Sequence, residues 1–124
     1  MNPSATAGTY PYPNDPPWSR SERTIARTVF DAALKRELQA VVKEAKLKAN
    51  QIKEPADVWE LERYLTQRRK DIDRKYEFRS SRLTQVFGTL LFEGRIREEE
   101  LRGLRDDKMK AIRSCAAVLS EAAA

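Results

Sequence analysis

Two long segments of the chain carry apolar residues at the spacing of an α-helix. The first runs from about residue 20 to residue 52, and the capping sequence Ser19-Arg20-Ser21-Glu22 predicts its start. Apolar positions there recur at intervals of three and four and share one face: Phe30, Leu34, Leu38, Val41, Ala45, Ala49 and Ile52. At 1.5 Å per residue, a helix of this length would be a rod of roughly 50 Å.

A second periodic segment follows after a short break. Pro55 and Asp57 predict the end of the first helix and the start of the next, with Asp57 as the N-capping residue. The spacing then continues through a set that includes two arginines: Val58, Leu61, Leu65, Arg68, Ile72, Tyr76, Arg79, Leu83, Val86 and Leu90. This pattern predicts one continuous helix to about Phe92, where Gly94 would cap it and Ile96 would fold back on the last turn.

The predicted fold class is all-α, with a long antiparallel helical hairpin as a stalk and a small helical head. Leu101 and Leu104 mark a short helix, and Met109, Ile112, Cys115 or Ala116, and Leu119 mark a final one. The predicted division has four parts: a disordered proline-rich tail at 1–18, the stalk at 19–93, the head at 94–120 and a frayed end at 121–124.

The hairpin leaves apolar positions without cover, so we expect a homodimer. The positions concerned lie beside the main stripes: Val29, Ala33, Val42, Phe87 and Leu91. Arg68 and Arg79 interrupt the second stripe and have two interpretations. Their stems could lie along the core with the guanidinium groups in solvent, or the arginines could meet carboxylates across a dimer interface.

The composition excludes several kinds of chemistry. The chain has no histidine and one cysteine, Cys115, which rules out histidine ligands, a histidine base and an intrachain disulfide. Carboxylate pairs such as Asp71 and Asp73 do not converge on a helix, and no glycine-rich phosphate loop is present. We therefore predict a protein that is not an enzyme and that binds no cofactor or metal.

The charge pattern gives little support to nucleic-acid binding. The net charge is +5, but Asp71, Asp73 and Glu77 interleave with the basic residues of the second helix. No run approaches 18 apolar residues, and the first residues lack the cationic start and apolar stretch typical of a secretion signal, so we expect none. We therefore expect a cytoplasmic protein without a transmembrane segment, with at most peripheral membrane association.

One flank of the second helix combines the residue types that dominate protein interfaces. Its members follow one another about 100° round from the apolar stripe, with a tyrosine close by: Trp59, Glu62, Arg63, Thr66, Arg69 and Tyr64. We call these six residues the ridge. Tryptophan, tyrosine and arginine are enriched in interface hot spots, so the ridge is a candidate for binding a partner protein or for packing in the dimer.

The second helix also resembles the fluorescence recovery protein family of cyanobacteria. The residues that match in one register are Asp57, Val58, Trp59, Leu61, Tyr64, Leu65, Arg68, Arg69, Ile72, Asp73, Lys75, Tyr76 and Arg79. The similarity continues through the head from Phe87 to Ile112, and backward through Pro17 to Ser19 and Arg36 to Leu38.

The resemblance implies a dimeric regulator. It would bind the C-terminal domain of photoactivated orange carotenoid protein, accelerate its return from the red to the orange form, and so end quenching at the phycobilisome on the thylakoid membrane. With the composition of the ridge, this predicts partner binding by Trp59, Glu62, Arg63, Tyr64, Thr66, Arg69 and Lys108. The predicted dimer interface comprises Leu38, Trp59, Arg68, Arg69, Ile72, Tyr76 and Arg79.

Two positions depart from the family pattern. Arg63 stands where the family has an acidic residue, and Gln85 stands where it has an aromatic one. Reversing a charge at a complementary interface is costly. The alternative function is therefore a dimeric helical adaptor of a recovery-protein-like branch, with a different protein partner and no activity on the carotenoid protein.

Overall fold

The computed structural model describes residues 17–124, and helices dominate that part of the chain. Four α-helices and one short 3₁₀ helix follow in the order α1 (Arg20–Asn50), α2 (Pro55–Lys75), α3 (Leu83–Phe92), the 3₁₀ helix (Glu98–Leu101) and α4 (Asp106–Ala123). No strand occurs between residues 17 and 124, so the predicted all-α class is confirmed. Most of the predicted tail, residues 1–16, lies outside the described residues.

Helix α1 begins with the predicted capping box. The Ser19 hydroxyl accepts a hydrogen bond from the Glu22 amide at 3.2 Å, and the Glu22 carboxylate accepts one from the Ser19 amide at 3.1 Å. Two orphan amides of the first turn are thereby satisfied. The helix has 31 residues, which makes it about 46 Å long.

The turn between α1 and α2 is closed from inside the second helix. Asp57 was predicted to be the N-cap of α2, and this prediction is wrong. The helix already begins at Pro55, and Glu54 is its N-cap. The Asp57 carboxylate instead reaches back to accept hydrogen bonds from the Lys53 and Glu54 amides at 2.9 and 3.1 Å. An acidic side chain near a helix N-terminus also interacts favourably with the helix dipole.

The prediction of one continuous helix to Phe92 is wrong, because α2 ends at Lys75 and α3 starts only at Leu83. Tyr76 leaves helical geometry at φ −93° and ψ 87°. Its ring and that of Phe78 both pack edge-to-face on Phe30, with centroids 5.3 and 5.2 Å away. These tertiary contacts decide the backbone path, and the helical spacing that runs across residues 76–82 is coincidental.

Helix α3 ends in a Schellman motif. Gly94 has a φ of +73°, a conformation that glycine adopts without strain. The Gly94 amide donates to the Leu91 carbonyl at 3.1 Å, and the Arg95 amide donates to the Leu90 carbonyl at 2.9 Å. The predicted glycine cap is confirmed, but Arg95 takes the position expected for Ile96, which is buried in the core.

The core lies where the first half of α1 meets α3 and α4. Trp18 belongs to it, with 7% of its surface exposed and its ring 6.2 Å from that of Phe87. The folded body therefore begins before the predicted boundary at residue 19. Three residues expected to need a second copy for cover, Val29, Ala33 and Phe87, are buried within the chain. Helix α4 continues to Ala123, where fraying was expected from residue 121.

Gly88 permits the close approach of α3 to α4. A Cβ atom at this position would lie 2.5 Å from both Cβ and Sγ of Cys115. We predict that Gly88→Ala lowers the free energy of unfolding in urea by about 1–3 kcal/mol, because the overlap outweighs the better helix propensity of alanine. In a Cys115→Gly background the loss should be much smaller, because only the Ile112 carbonyl oxygen, 3.3 Å from the added Cβ, remains close. An equal loss in both backgrounds would contradict this packing.

Candidate functional site

The outer half of the stalk buries no residue within the single chain. Between residues 38 and 71 every residue of α1 and α2 is at least partly exposed. The large apolar side chains among them are 40–61% exposed: Leu38, Val42, Leu47, Val58, Trp59 and Leu65. Apolar surface on this scale is typical of a binding interface.

Four of these apolar residues lie on the same side of the hairpin: Leu38 and Val42 on α1, and Val58 and Leu65 on α2. On each helix one line of residues faces the other helix. Each apolar pair lies roughly 90° round its own helix from that line, and the rotation has the same sense on both helices. Because the two helices run antiparallel, an equal rotation brings both pairs to one side. We call these four residues the apolar flank.

Five of the six ridge residues lie together on the exposed face of α2, next to the apolar flank. Trp59 is 61% exposed, and Glu62, Arg63, Thr66 and Arg69 are also exposed. Tyr64 differs, because it is half-buried and turns toward α1, where the Lys48 ammonium lies 5.2 Å from its ring centroid. The structure thus leaves the indole and the two guanidinium groups of the ridge accessible to another protein.

Lys108, which was expected at the partner surface, is buried at the base of the head. Its ammonium lies 3.8 Å from the Glu22 carboxylate and 3.3 Å from that of Asp107, and it donates to the Pro17 carbonyl at 3.5 Å. It also lies 5.5 Å from the Trp18 ring centroid. Lys108 therefore fastens α4 to the start of α1. The sequence pattern did not predict this ion pair, because Glu22 and Lys108 lie far apart along the chain and Glu22 was interpreted only as a capping residue.

A fully buried carboxylate joins the stalk to the head. Glu37 has no exposed surface, and its Oε2 accepts hydrogen bonds from Arg68 at 2.6 Å and Lys75 at 2.8 Å. Its Oε1 accepts one from the Tyr76 hydroxyl at 2.8 Å and lies 3.1 Å from Nε of Arg95. We call these five residues the Glu37 cluster. It links α1, the end of α2, the following turn and the segment after α3.

The surroundings keep the Glu37 cluster charged. Burial alone would raise the pKa of Glu37, but hydrogen bonds from Lys75, Arg68 and Tyr76 outweigh it and hold that pKa below its usual value. Burial and the hydrogen bond to Glu37 raise the pKa of the Tyr76 hydroxyl, so this group stays protonated and donates. The hydrogen bond to Glu37 likewise raises the pKa of Arg68.

The cluster changes the interpretation of several predicted dimer residues. Neither interpretation of Arg68, a guanidinium in solvent or an ion pair across a dimer interface, describes the structure. Its guanidinium is bound by Glu37 of the same chain. Tyr76 is also held by Glu37, and Ile72 is buried. Arg79 lies exposed in the turn after α2 and pairs with Glu77. Leu38, Trp59 and Arg69 remain accessible for a dimer contact.

Sequence reasoning missed Glu37, although a signal was present. Ala26, Phe30, Ala33 and Glu37 are spaced by four, three and four residues, and all four are buried. The predicted stripe through Leu34 and Leu38 is therefore offset by one residue over this part of α1. A carboxylate on the buried face was the counterion that Arg68 required.

Residues 17–124 contain neither a metal-binding cluster nor a membrane-spanning helix. No group of three or more acidic or cysteine side chains in this part of the chain is arranged to hold a metal ion. None of its helices combines the length and apolar character needed to cross a bilayer. The exposed ridge and apolar flank are therefore the candidate functional surfaces of the stalk.

Comparison with known proteins assigns the family. The family model described as "photoprotection regulator fluorescence recovery protein" matches residues 18–116. The chain is 38% identical over 100 residues to the fluorescence recovery protein of Synechocystis sp. PCC 6803, an alignment that covers 81% of this chain and 92% of that protein. The chain belongs to the fluorescence recovery protein family. The resemblance drawn from residues 57–79 is thereby confirmed, and the protein is a photoprotection regulator.

Solved structures of fluorescence recovery proteins share the fold. The structure from Fremyella diplosiphon matches with a TM-score of 0.78 at 37% identity, covering 81% of this chain and 98% of that one. The structure from Synechocystis sp. PCC 6803 matches with a TM-score of 0.78 at 38% identity, covering 82% of this chain and 99% of that one. Two structures from different organisms therefore support the same arrangement of stalk and head.

Removing the charge of Glu37 should weaken the whole fold. We predict that Glu37→Gln lowers the free energy of unfolding at neutral pH by about 3–5 kcal/mol, because Arg68, Lys75 and Arg95 lose their shared anion. Urea unfolding measures the change. Glu44→Gln is the matched control, since it removes an exposed pair with Lys48 at 3.7 Å and should cost less than about 1 kcal/mol.

The effect should depend on pH in a defined direction. The pKa of Glu37 is lowered in the folded state, so its contribution is present above the ordinary carboxyl value of 4.5 and is lost as pH falls through the folded value. The difference between the native chain and Glu37→Gln should therefore shrink in acid. A difference that stays constant far below pH 4.5 would count against the cluster.

Proposed function

We propose that the protein is a non-enzymatic regulator that binds photoactivated orange carotenoid protein and accelerates its return to the orange form, ending quenching at the phycobilisome. The observation that carries the proposal is the family match over residues 18–116, together with the exposed ridge. Within the cell we place this activity in the cytoplasm, with at most peripheral association with the thylakoid membrane.

The proposed mechanism requires no bond chemistry in the regulator. A protein that binds one arrangement of its partner better than another shifts the population toward the favoured arrangement. Trp59 and Arg69 supply an indole and a guanidinium on one rigid helix, which limits the entropy lost on binding. The partner would be held in a geometry close to its resting form, from which its domains close more readily.

We further propose that the working regulator is a homodimer joined through the apolar flank. A two-fold interface uses the same patch on both copies, and the apolar flank supplies such a patch. The ridge borders this flank, so two copies would bring two ridges to one composite surface. Arg69 is the ridge residue nearest this flank, about 20–40° round the helix from Val58 and Leu65, and we assign it a contact with both the second copy and the partner.

One observation favours the alternative function. Arg63 is exposed in the middle of the ridge, where the family pattern has an acidic residue, and it would meet the same partner surface with the opposite charge. In this second proposal the chain is a dimeric adaptor of a recovery-protein-like branch. Its partner is then a different protein, and orange carotenoid protein is not bound.

The relaxation of photoconverted orange carotenoid protein in the dark tests the activity. A saturating amount of the native chain should shorten the lifetime of the red form, and Trp59→Ala should weaken this effect with a loss of about 2 kcal/mol or more in binding.

Arg63→Asp distinguishes the two proposals, with Lys46→Asp as a control of equal charge change elsewhere on the stalk. If the Arg63→Asp variant accelerates the relaxation and the native chain does not, the adaptor proposal is supported. If neither the native chain nor any variant accelerates it, the regulator proposal is contradicted.

Light scattering after size-exclusion chromatography tests the dimer. The native chain should have twice the 14.3 kDa mass of one copy. Val42→Asp should shift it to the monomer, because a carboxylate would be buried without a partner in the proposed interface. Val118→Asp, at an exposed valine on α4 away from the apolar flank, should leave the mass unchanged. A monomeric native chain would contradict the proposal.

A further inference from the structure

A groove with one apolar and one cationic wall lies between the end of α2, α3 and α4. Its volume is about 800 Å³. The apolar wall includes Val86, Cys115, Val118 and Leu119, and the Val118 side chain is 64% exposed. The cationic wall carries five basic side chains and two carboxylates: Arg68, Arg74, Lys75, Arg82 and Arg95, with Asp71 and Glu93. An apolar surface of the head and a basic surface at the end of α2 are thus placed side by side.

Of the five cations, Arg74 has no carboxylate partner within residues 17–124, and Arg82 shares the Glu77 carboxylate with Arg79. Arg68, Lys75 and Arg95 are bound by Glu37, and Lys75 and Arg95 also pair with Glu93. Arg82 lies 3.4 Å from the Glu77 carboxylate. Its Nε is buried and has no hydrogen-bond acceptor within residues 17–124. The groove therefore has a positive charge that an occupant can complement.

The groove lies on the other side of α2 from the apolar flank. At 100° per residue, Arg74 is roughly 160° or more round the helix from both Val58 and Leu65. A second copy seated on the apolar flank would leave the groove open. Arg74 is instead roughly in line with Arg63, three turns away, so the groove continues the ridge toward the head.

We propose that this groove binds an amphipathic α-helix of a partner protein, with its apolar face on the wall around Val118 and carboxylates on its flank bound by Arg74 and Arg82. A helix presents apolar and acidic side chains on adjacent lines, which is the arrangement of the two walls. Arginine is suited to planar, two-point recognition of carboxylates. The inference deepens the proposed function by naming the chemistry of the partner beyond the ridge.

A fluorescein-labelled peptide provides the probe. It carries leucines at i, i+3, i+4 and i+7 with glutamates beside them, and anisotropy reports its binding to the full chain. The double variant Arg74→Glu and Arg82→Glu should weaken binding about tenfold or more, and Val118→Asp should weaken it as well. The double variant Arg20→Glu and Lys46→Glu has the same net charge change away from the groove and should bind like the native chain. Thermal unfolding followed by circular dichroism verifies that each variant is folded.

Cys115 supplies a local readout, since it is the sole cysteine of the chain and lines the groove. Saturating peptide should slow its alkylation by a maleimide at mildly alkaline pH. A peptide of the same composition with its leucines and glutamates scrambled should bind weakly and give no protection. Equal binding of the scrambled peptide, or unprotected Cys115 under saturation, would overturn the groove proposal. Relaxation of the carotenoid protein is measured separately, so failure here is distinct from failure of the proposed function.

Discussion

The structure depends on one buried carboxylate, that of Glu37. Donors from α2, from the turn after it and from the segment after α3 converge on its two oxygens. An ion removed from water is tolerated only when it is paired and hydrogen-bonded, so none of these segments can move away without exposing an unpaired charge. The Glu37 cluster therefore fixes the point at which the stalk joins the head, and it sets the position of the ridge and the groove.

The two ends of the stalk have different physical roles. Near the head, Val29, Phe30 and Ala33 are buried by α3, α4 and the turn, which makes this end self-sufficient. From residue 38 outward the hairpin buries no residue and leaves large apolar side chains exposed. Proteins commonly bind where a rigid scaffold carries surface that it cannot cover itself. The proposed contacts with a second copy on the apolar flank and with a partner on the ridge use this outer surface, whereas the groove lies at the head end of the stalk.

Short sequence patterns correctly predicted the features that depend on interactions between neighbouring residues. The capping box at Ser19, the hairpin turn near Pro55 and the glycine cap at Gly94 were correctly located because each depends on a few neighbouring residues. The break after Lys75 was not, because Tyr76 and Phe78 leave the helix for contacts with Phe30, more than forty residues away in sequence. Likewise, Glu37 and Lys108 looked like solvated charges until the fold placed their counterions beside them. The exposed position of Trp59, by contrast, followed from the helical period alone.

The protonation of Glu37 tests the central claim most directly. The carbon-13 chemical shift of its side-chain carboxyl, followed by nuclear magnetic resonance as the pH is lowered, reports the ionisation of this one group in the folded chain. We predict that Glu37 is still ionised when the pH has fallen below the ordinary carboxyl pKa of 4.5. Titration of Glu37 at or above 4.5 would contradict a carboxylate held by three cations and a tyrosine, and with it the junction of stalk and head.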